Sequence, residues 1–200
     1  MKILNFGSCN IDFVYKLDHI VTIGETETSN SMQVFPGGKG LNQSVALAKA
    51  GMEVYHAGCI GTDGEMLTDV LESNGVDISN IKKVDEKTGQ AIIQVSNKGD
   101  NSIFLYSGSN AKITEEFVDE VLDKFQKGDM LLLQNEINKI DYIIEKAYKK
   151  GMCIIFNPSP YNDEIKNLDF NMLSYIIINE VEMSELTLCD NPKDGLKYFA

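Results

Sequence analysis

A chain of 200 residues, 43% hydrophobic and 24% charged, has the size and make-up of one ordinary globular domain or slightly more, with a substantial core. Its net charge of −12 argues against nucleic acid, which is bound by neutralising phosphates with Lys and Arg, and against anionic membranes. No apolar run approaches the ~18 residues of a membrane-spanning helix, and the start, MKILNFGSCNIDF, reaches Asn5 too soon for a secretion signal.

In chain order, KILNFGSCNIDFV reads as a first strand. Residues 14–35 alternate apolar and polar positions around Gly24, and LNQSVALAKAG reads as a helix. EVYHAGCI is then a strand and EMLTDVLESNG a helix. Residues 90–107, QAIIQVSNKGDNSIFLYS, read as two strands joined by a turn at Asn97, Gly99 and Asp100. TEEFVDEVLDKF follows as a helix, with Thr114 as its cap and Glu115 and Glu116 at the positive end of its dipole. DMLLLQ, MCIIFN and LSYIIIN are later strands, with IDYIIEKAYKKG a helix between the first two.

This alternation predicts an open, mostly parallel sheet flanked by helices. The segments 14–35 and 90–107 fall outside it, as a small antiparallel flap would. The end, NPKDGLKYFA, has Asn191 and Pro192 in helix-starting positions and stops about two turns later. The expectation is an N-terminal part of a longer fold.

Cys9, Cys59, Cys153 and Cys189 form no C-x-x-C pair, which favours free thiols in a reducing cytoplasm over disulfides or metal ligands. His19 and His56 offer little for a zinc site or a histidine triad, and both are expected to be incidental.

The glycine turn VFPGGKGLNQ raises the question of a phosphate loop. A Walker loop needs Ser or Thr after its Lys, and here Lys39 is followed by Gly40. A dinucleotide fingerprint should follow the first strand at once; Gly7 stands there alone, and GCIGTDG has the wrong spacing. What remains is either a plain strand-to-helix turn or one whose free N–H groups and Asn42 amide present a small polar ligand to a helix start. In GSCNIDFV, Asn10 and Asp12 project to one side of a strand, near the end where open α/β sheets bind ligands. That favours the ligand turn, since a carboxylate there can accept two hydroxyl hydrogens of a sugar.

GSCNIDF, PGGKGLNQSVA and GCIGTDGEM together resemble the ribokinase-like family of carbohydrate kinases. GVDISNI, TGQAIIQV, GSNAKIT, LLLQNEI, IIFNPSP and IINEVEMSEL continue the resemblance in order over essentially the whole chain. GGKGLNQ is most like the ribokinase branch. The resemblance implies a sugar pocket of Asn10, Asp12, Gly38, Lys39 (through its backbone), Gly40, Asn42 and Glu136. It implies a lid carrying Ala91 and Ile93, and an N-x-x-E pair, Asn179 and Glu182, that organises Mg2+ and the ATP phosphates, Glu182 reaching the metal through water. As bare sequence, N-E-V-E is equally a helix cap.

A homodimer through the lid and a K+ site belong to the same implication. So does a G-A-G-D-type segment whose Asp takes the proton from the attacking hydroxyl; it is absent from these 200 residues. The expected function is therefore an ATP-dependent kinase of a sugar primary hydroxyl, D-ribose before nucleosides or hexoses. A non-catalytic sugar-binding protein is the alternative, and the 200 residues by themselves are expected to be inactive. A phosphosugar substrate is disfavoured because the chain contains no arginine to grip its phosphate.

Overall fold

A computed structural model describes residues 1–189, 191–195 and 197. Six strands form one parallel sheet: β1 (Ile3–Phe6), β4 (Val54–Ile60), β5 (Asp77–Lys83), β8 (Met130–Gln134), β9 (Cys153–Asn157) and β10 (Tyr175–Ile176). Their order is β10-β9-β8-β1-β4-β5. The helices between them are α1 (Lys39–Lys49), α2 (Glu65–Ser73), α3 (Glu115–Leu122) and α4 (Ile140–Lys150), and α5 (Glu180–Thr187) and the short α6 (Pro192–Gly195) follow β10.

Strand alternation divides the core in two. Leu4 and Phe6 of β1, with Leu131 and Leu133 of β8, pack with α3 and α4. On the other side Asn5 bonds α1, and Leu41, Leu67 and Leu71 of α1 and α2 form a second cluster with Val54 and Ile60. Helix α4 illustrates the cause: Ile140, Ile143, Ile144 and Ala147 share one buried stripe, Lys149 and Lys150 favour the negative end of its dipole, and Gly151 at φ 75° ends it. Thr114 caps α3 as its sequence predicts, accepting from Phe117 N–H at 3.2 Å.

A second sheet, ordered β3-β2-β6-β7, consists of β2 (Asn10–Leu17), β3 (Ser31–Gly37), β6 (Gly89–Ser96) and β7 (Asn101–Tyr106). Two expectations change here. KILNFGSCNIDFV is not one strand: Gly7, Ser8 and Cys9 break it, so β1 lies in the parallel sheet while β2 opens the second one. The second sheet is mixed rather than antiparallel, because its central strands β2 and β6 run parallel and only the outer pairs β2–β3 and β6–β7 are antiparallel. Both central strands leave the body in the same direction, so they cannot be hairpin partners. Strand β5 is a further addition, since DISNIKK at the sheet edge alternates weakly and exposes its lysines.

The chain leaves β1 for β4 on one side and has β8 on the other. That reversal opens a crevice at the C-terminal ends of the strands, the usual ligand position in open α/β sheets.

Candidate functional site

Three segments meet at the crevice: the break after β1, the turn before α1 and the loop after β8. Gly38 at φ 95°, a conformation open to glycine, turns the chain from β3 into α1 and provides no capping side chain. The cap comes from elsewhere. Glu136, two residues past β8, accepts the Lys39 N–H at 2.9 Å, and its other oxygen lies 3.4 Å from the Lys39 ammonium. Ser8 accepts the Gly40 N–H at 3.2 Å through Oγ and the Leu41 N–H at 2.9 Å through its carbonyl, while its hydroxyl donates to Glu136. The Asn42 N–H returns to the Gly38 carbonyl at 3.0 Å.

The expectation that the first N–H groups of α1 are free for a ligand is therefore wrong. A carboxylate and a hydroxyl of the chain itself already fill the positive end of the helix, so it has no room for phosphate. What the turn offers a ligand is the exposed Asn42 side chain.

Asp12 lies in β2 beside this turn, not at the end of a first strand as expected. Its carboxylate covers Gly37 so closely that a Cβ there would fall 2.1 Å from Oδ2, so any larger residue at 37 would displace the Asp12 carboxylate. Its Oδ1 is buried without a hydrogen-bond partner. Burial, and secondarily the negative charge of Glu136, push the Asp12 carboxyl up to about 6. A buried acceptor without a donor marks a candidate point of ligand contact.

Asn10, two residues earlier and on the same face, lines a cleft of about 680 Å³ with Glu136, Asn110, Asn138, Leu105 and Tyr106. Ala91 pairs laterally with Asp12, and Ile93 with Val14 one step further, so both lie on the Asp12 face of the second sheet. Asn179 and Glu182 stand apart, at the start of α5 just beyond β10. They form the reciprocal cap, with Glu182 N–H to Asn179 Oδ1 at 2.8 Å and Asn179 N–H to Glu182 Oε2 at 3.0 Å.

The sequence pattern singles out neither Ser8 nor Asn110, although both sit in motif segments, GSCN and GSNAKIT. It also conceals a buried network behind α1. Asn5 Nδ2 donates to the Gly40 carbonyl at 2.7 Å and to Ser44 Oγ at 2.8 Å, and Gln134 Nε2 donates to Asn5 Oδ1 at 2.9 Å. His56 joins it, Nδ1 lying 2.8 Å from Ser44 Oγ and Nε2 3.2 Å from Cys9 Sγ. The histidine is thus part of the scaffold rather than incidental. Burial lowers it to about 4 and pushes the Cys9 thiol up to about 12, so both are neutral and unreactive near pH 7. All four cysteines are free. GTDG serves the scaffold as well. Asp63 Oδ1 accepts from Thr88 N–H at 2.9 Å and Thr88 Oγ1 at 2.6 Å, fastening the base of β6 to the start of α2.

A parallel α/β body with carboxylates and amides gathered beside a four-stranded flap belongs to the open α/β class that places its ligand sites at the C-terminal ends of the strands. The sequence comparisons narrow this: the model of the pfkB family of carbohydrate kinases matches residues 1–199, and the chain belongs to that family. It is 35% identical over 189 residues to the ribokinase of Haemophilus influenzae, covering 90% of this chain and 60% of that protein. It is also 35% identical over 193 residues to the ribokinase of Bacillus subtilis, covering 92% of this chain and 65% of that one. The crystal structure of ribokinase from Cryptococcus neoformans in complex with ADP superimposes with a TM-score of 0.83 at 34% identity, over 99% of this chain and 65% of that one. The chain thus spans 60 to 65% of the length of these curated relatives.

Proposed function

We propose that the protein is an ATP-dependent kinase that transfers a phosphoryl group to the primary hydroxyl of a sugar, with D-ribose as substrate and ribose 5-phosphate as product. The observation that carries this reading is the unpartnered carboxylate of Asp12, on the same strand face as Asn10 of the cleft wall, in a chain similar to ribokinases over nearly its whole length. Above a pH of about 6 Asp12 is an anion and accepts sugar hydroxyl hydrogens. Asn10 and Asn42 add amide contacts. Glu136 and Ser8 hold the turn Gly38, Lys39 and Gly40 at the height where the sugar lies, and Glu136 accepts a further hydroxyl. Ala91 and Ile93 form an apolar ceiling that excludes water from the reacting hydroxyl.

When bound, MgATP supplies the transferred group with its charge partly neutralised. Asn179 and Glu182 provide oxygen donors of the kind Mg2+ takes, Glu182 through a water. The free thiols suit a reducing cytoplasm. The lid is the place for a second copy of the chain: Phe35, Ile103, Phe104 and Leu105 are exposed on it, and β7 is an open edge. Light scattering should find a dimer, and a strict monomer at high concentration, with and without ribose, removes this part.

Calorimetry with ribose, followed by a coupled ADP-release assay, tests the reading. Asp12→Ala should keep the fold and lose ~1.5–3 kcal/mol of sugar binding. Ribose binding without turnover, in a protein that also carries a G-A-G-D-type segment, would favour a non-catalytic sugar-binding protein. Response to nucleosides or hexoses alone would move the substrate, and no response to any sugar would sink the proposal.

A further inference from the structure

A backbone N–H can only donate, so the Asn110 atom 3.1 Å from the Cys9 nitrogen must be Oδ1. The other branch of that amide is then Nδ2, which lies 2.7 Å from the side chain of Asn10 and 3.4 Å from the Cys9 carbonyl. A donor facing Asn10 requires Oδ1 of Asn10 to face it in return. Asn10 and Asn110 are 5% and 2% exposed, so water has little access with which to stabilise a turned amide. A chain of polarity thus runs from one main-chain N–H through two side chains to the wall of the cleft.

We propose that Asn110 is a positioning residue that locks the carboxamide of Asn10 with its NH2 group toward the ligand. Building on the sugar-binding reading above, this gives the site a polarity code. The ligand atom at Asn10 is read as an acceptor and the one at Asp12 as a donor. A hydroxyl that accepts from Asn10 keeps its own hydrogen to pass on, so a vicinal diol fits the pair. A ring or ether oxygen fits at Asn10 and is rejected at Asp12.

Asn110→Asp tests this with little change of shape. It retains an acceptor for the Cys9 N–H but removes the donor to Asn10, so the Asn10 amide must turn and present oxygen to the ligand. In the unliganded wild-type chain, NMR should show scalar coupling across the hydrogen bond from the Asn110 side-chain nitrogen to the Asn10 carboxamide carbon. Coupling in the opposite sense, from the Asn10 nitrogen to Asn110, overturns the proposal. In ribose calorimetry, Asn110→Asp should raise Kd about tenfold or more. A neutral cycle checks the route of the effect: the loss caused by Asn110→Ala should disappear in an Asn10→Ala background. An equal loss in both backgrounds shows that Asn110 is merely structural. Wild-type chain that shows the expected coupling and binds no ribose defeats the sugar-kinase reading while the amide orientation stands.

Discussion

Glu136 caps helix α1 from 97 residues away: its Oε2 accepts the Lys39 N–H at 2.9 Å, and its side chain is 7% exposed. A carboxylate at this end of a helix meets the positive end of the dipole and an otherwise unsatisfied donor. The contact joins the loop after β8 to the turn before α1, so it closes the crevice at its floor. Glu136→Gln keeps the shape but loses the charge. It should destabilise the chain by about 1–2 kcal/mol in urea unfolding. It should also lower the pH at which Asp12 titrates, because one cause of that elevation is removed. An unchanged Asp12 titration, followed by carboxyl NMR shifts, would show that the two carboxylates do not interact.

Asp12, whose buried carboxylate oxygen Oδ1 has no partner, costs the fold stability. Its carboxyl is raised in the native state to about 6 from an ordinary value of 3.8. Stability associated with it is therefore fully present below pH ~4 and is lost as pH rises to about 6. Asp12→Asn should make the unliganded protein more stable at pH 7.5 by on the order of 1 kcal/mol, after allowance for the solvent that reaches the side chain. The gain should vanish below pH 4, and sugar affinity should fall at pH 7.5. Urea titrations at the two pH values decide it; a variant less stable at pH 7.5 contradicts the assignment.

His56 titrates in the opposite sense. Burial lowers it to about 4, so the folded chain resists a proton that the unfolded chain accepts near pH 6.5. The stability gained by keeping it neutral is intact above pH 6.5 and drains away as pH falls toward 4. Between pH 7.5 and pH 5 the loss should be about 2 kcal/mol. His56→Gln should flatten the pH profile over this window, whatever its effect at pH 7.5. An equal slope in the variant would place the acid sensitivity elsewhere.

The latch between Asp63 and Thr88 governs how firmly the lid joins the body. Thr88 is fully buried and its Oγ1 also accepts the Gly61 N–H at 3.0 Å. Removing the carboxylate in Asp63→Ala leaves the Thr88 N–H without its acceptor, a loss of about 1–3 kcal/mol placed at the lid base. Hydrogen exchange should accelerate over residues 86–92 and remain near wild type in β1 and β8. Uniform acceleration through the parallel sheet would mean that lid and body unfold as one unit.

What the sequence determined by itself is whatever depends on neighbours within a few residues. The stripe of Ile140, Ile143, Ile144 and Ala147, the Thr114 cap and the Asn179–Glu182 box are all local, and each was legible because its partners lie within two helical turns. So was the pairing of Asn10 with Asp12 on one strand face, which follows from a period of two. Tertiary structure alone decided where that strand goes. Gly7, Ser8 and Cys9 are compatible with extended chain, and only the parallel pairing of β2 with β6 pulls Asn10 and Asp12 out of the main sheet. The cap of α1 was equally hidden. A reader of GGKG sees free N–H groups, because the residues that fill them, Ser8 and Glu136, stand 32 and 97 positions from their partners. Hydrogen-bond satisfaction is settled by distance in space, which a linear pattern does not record.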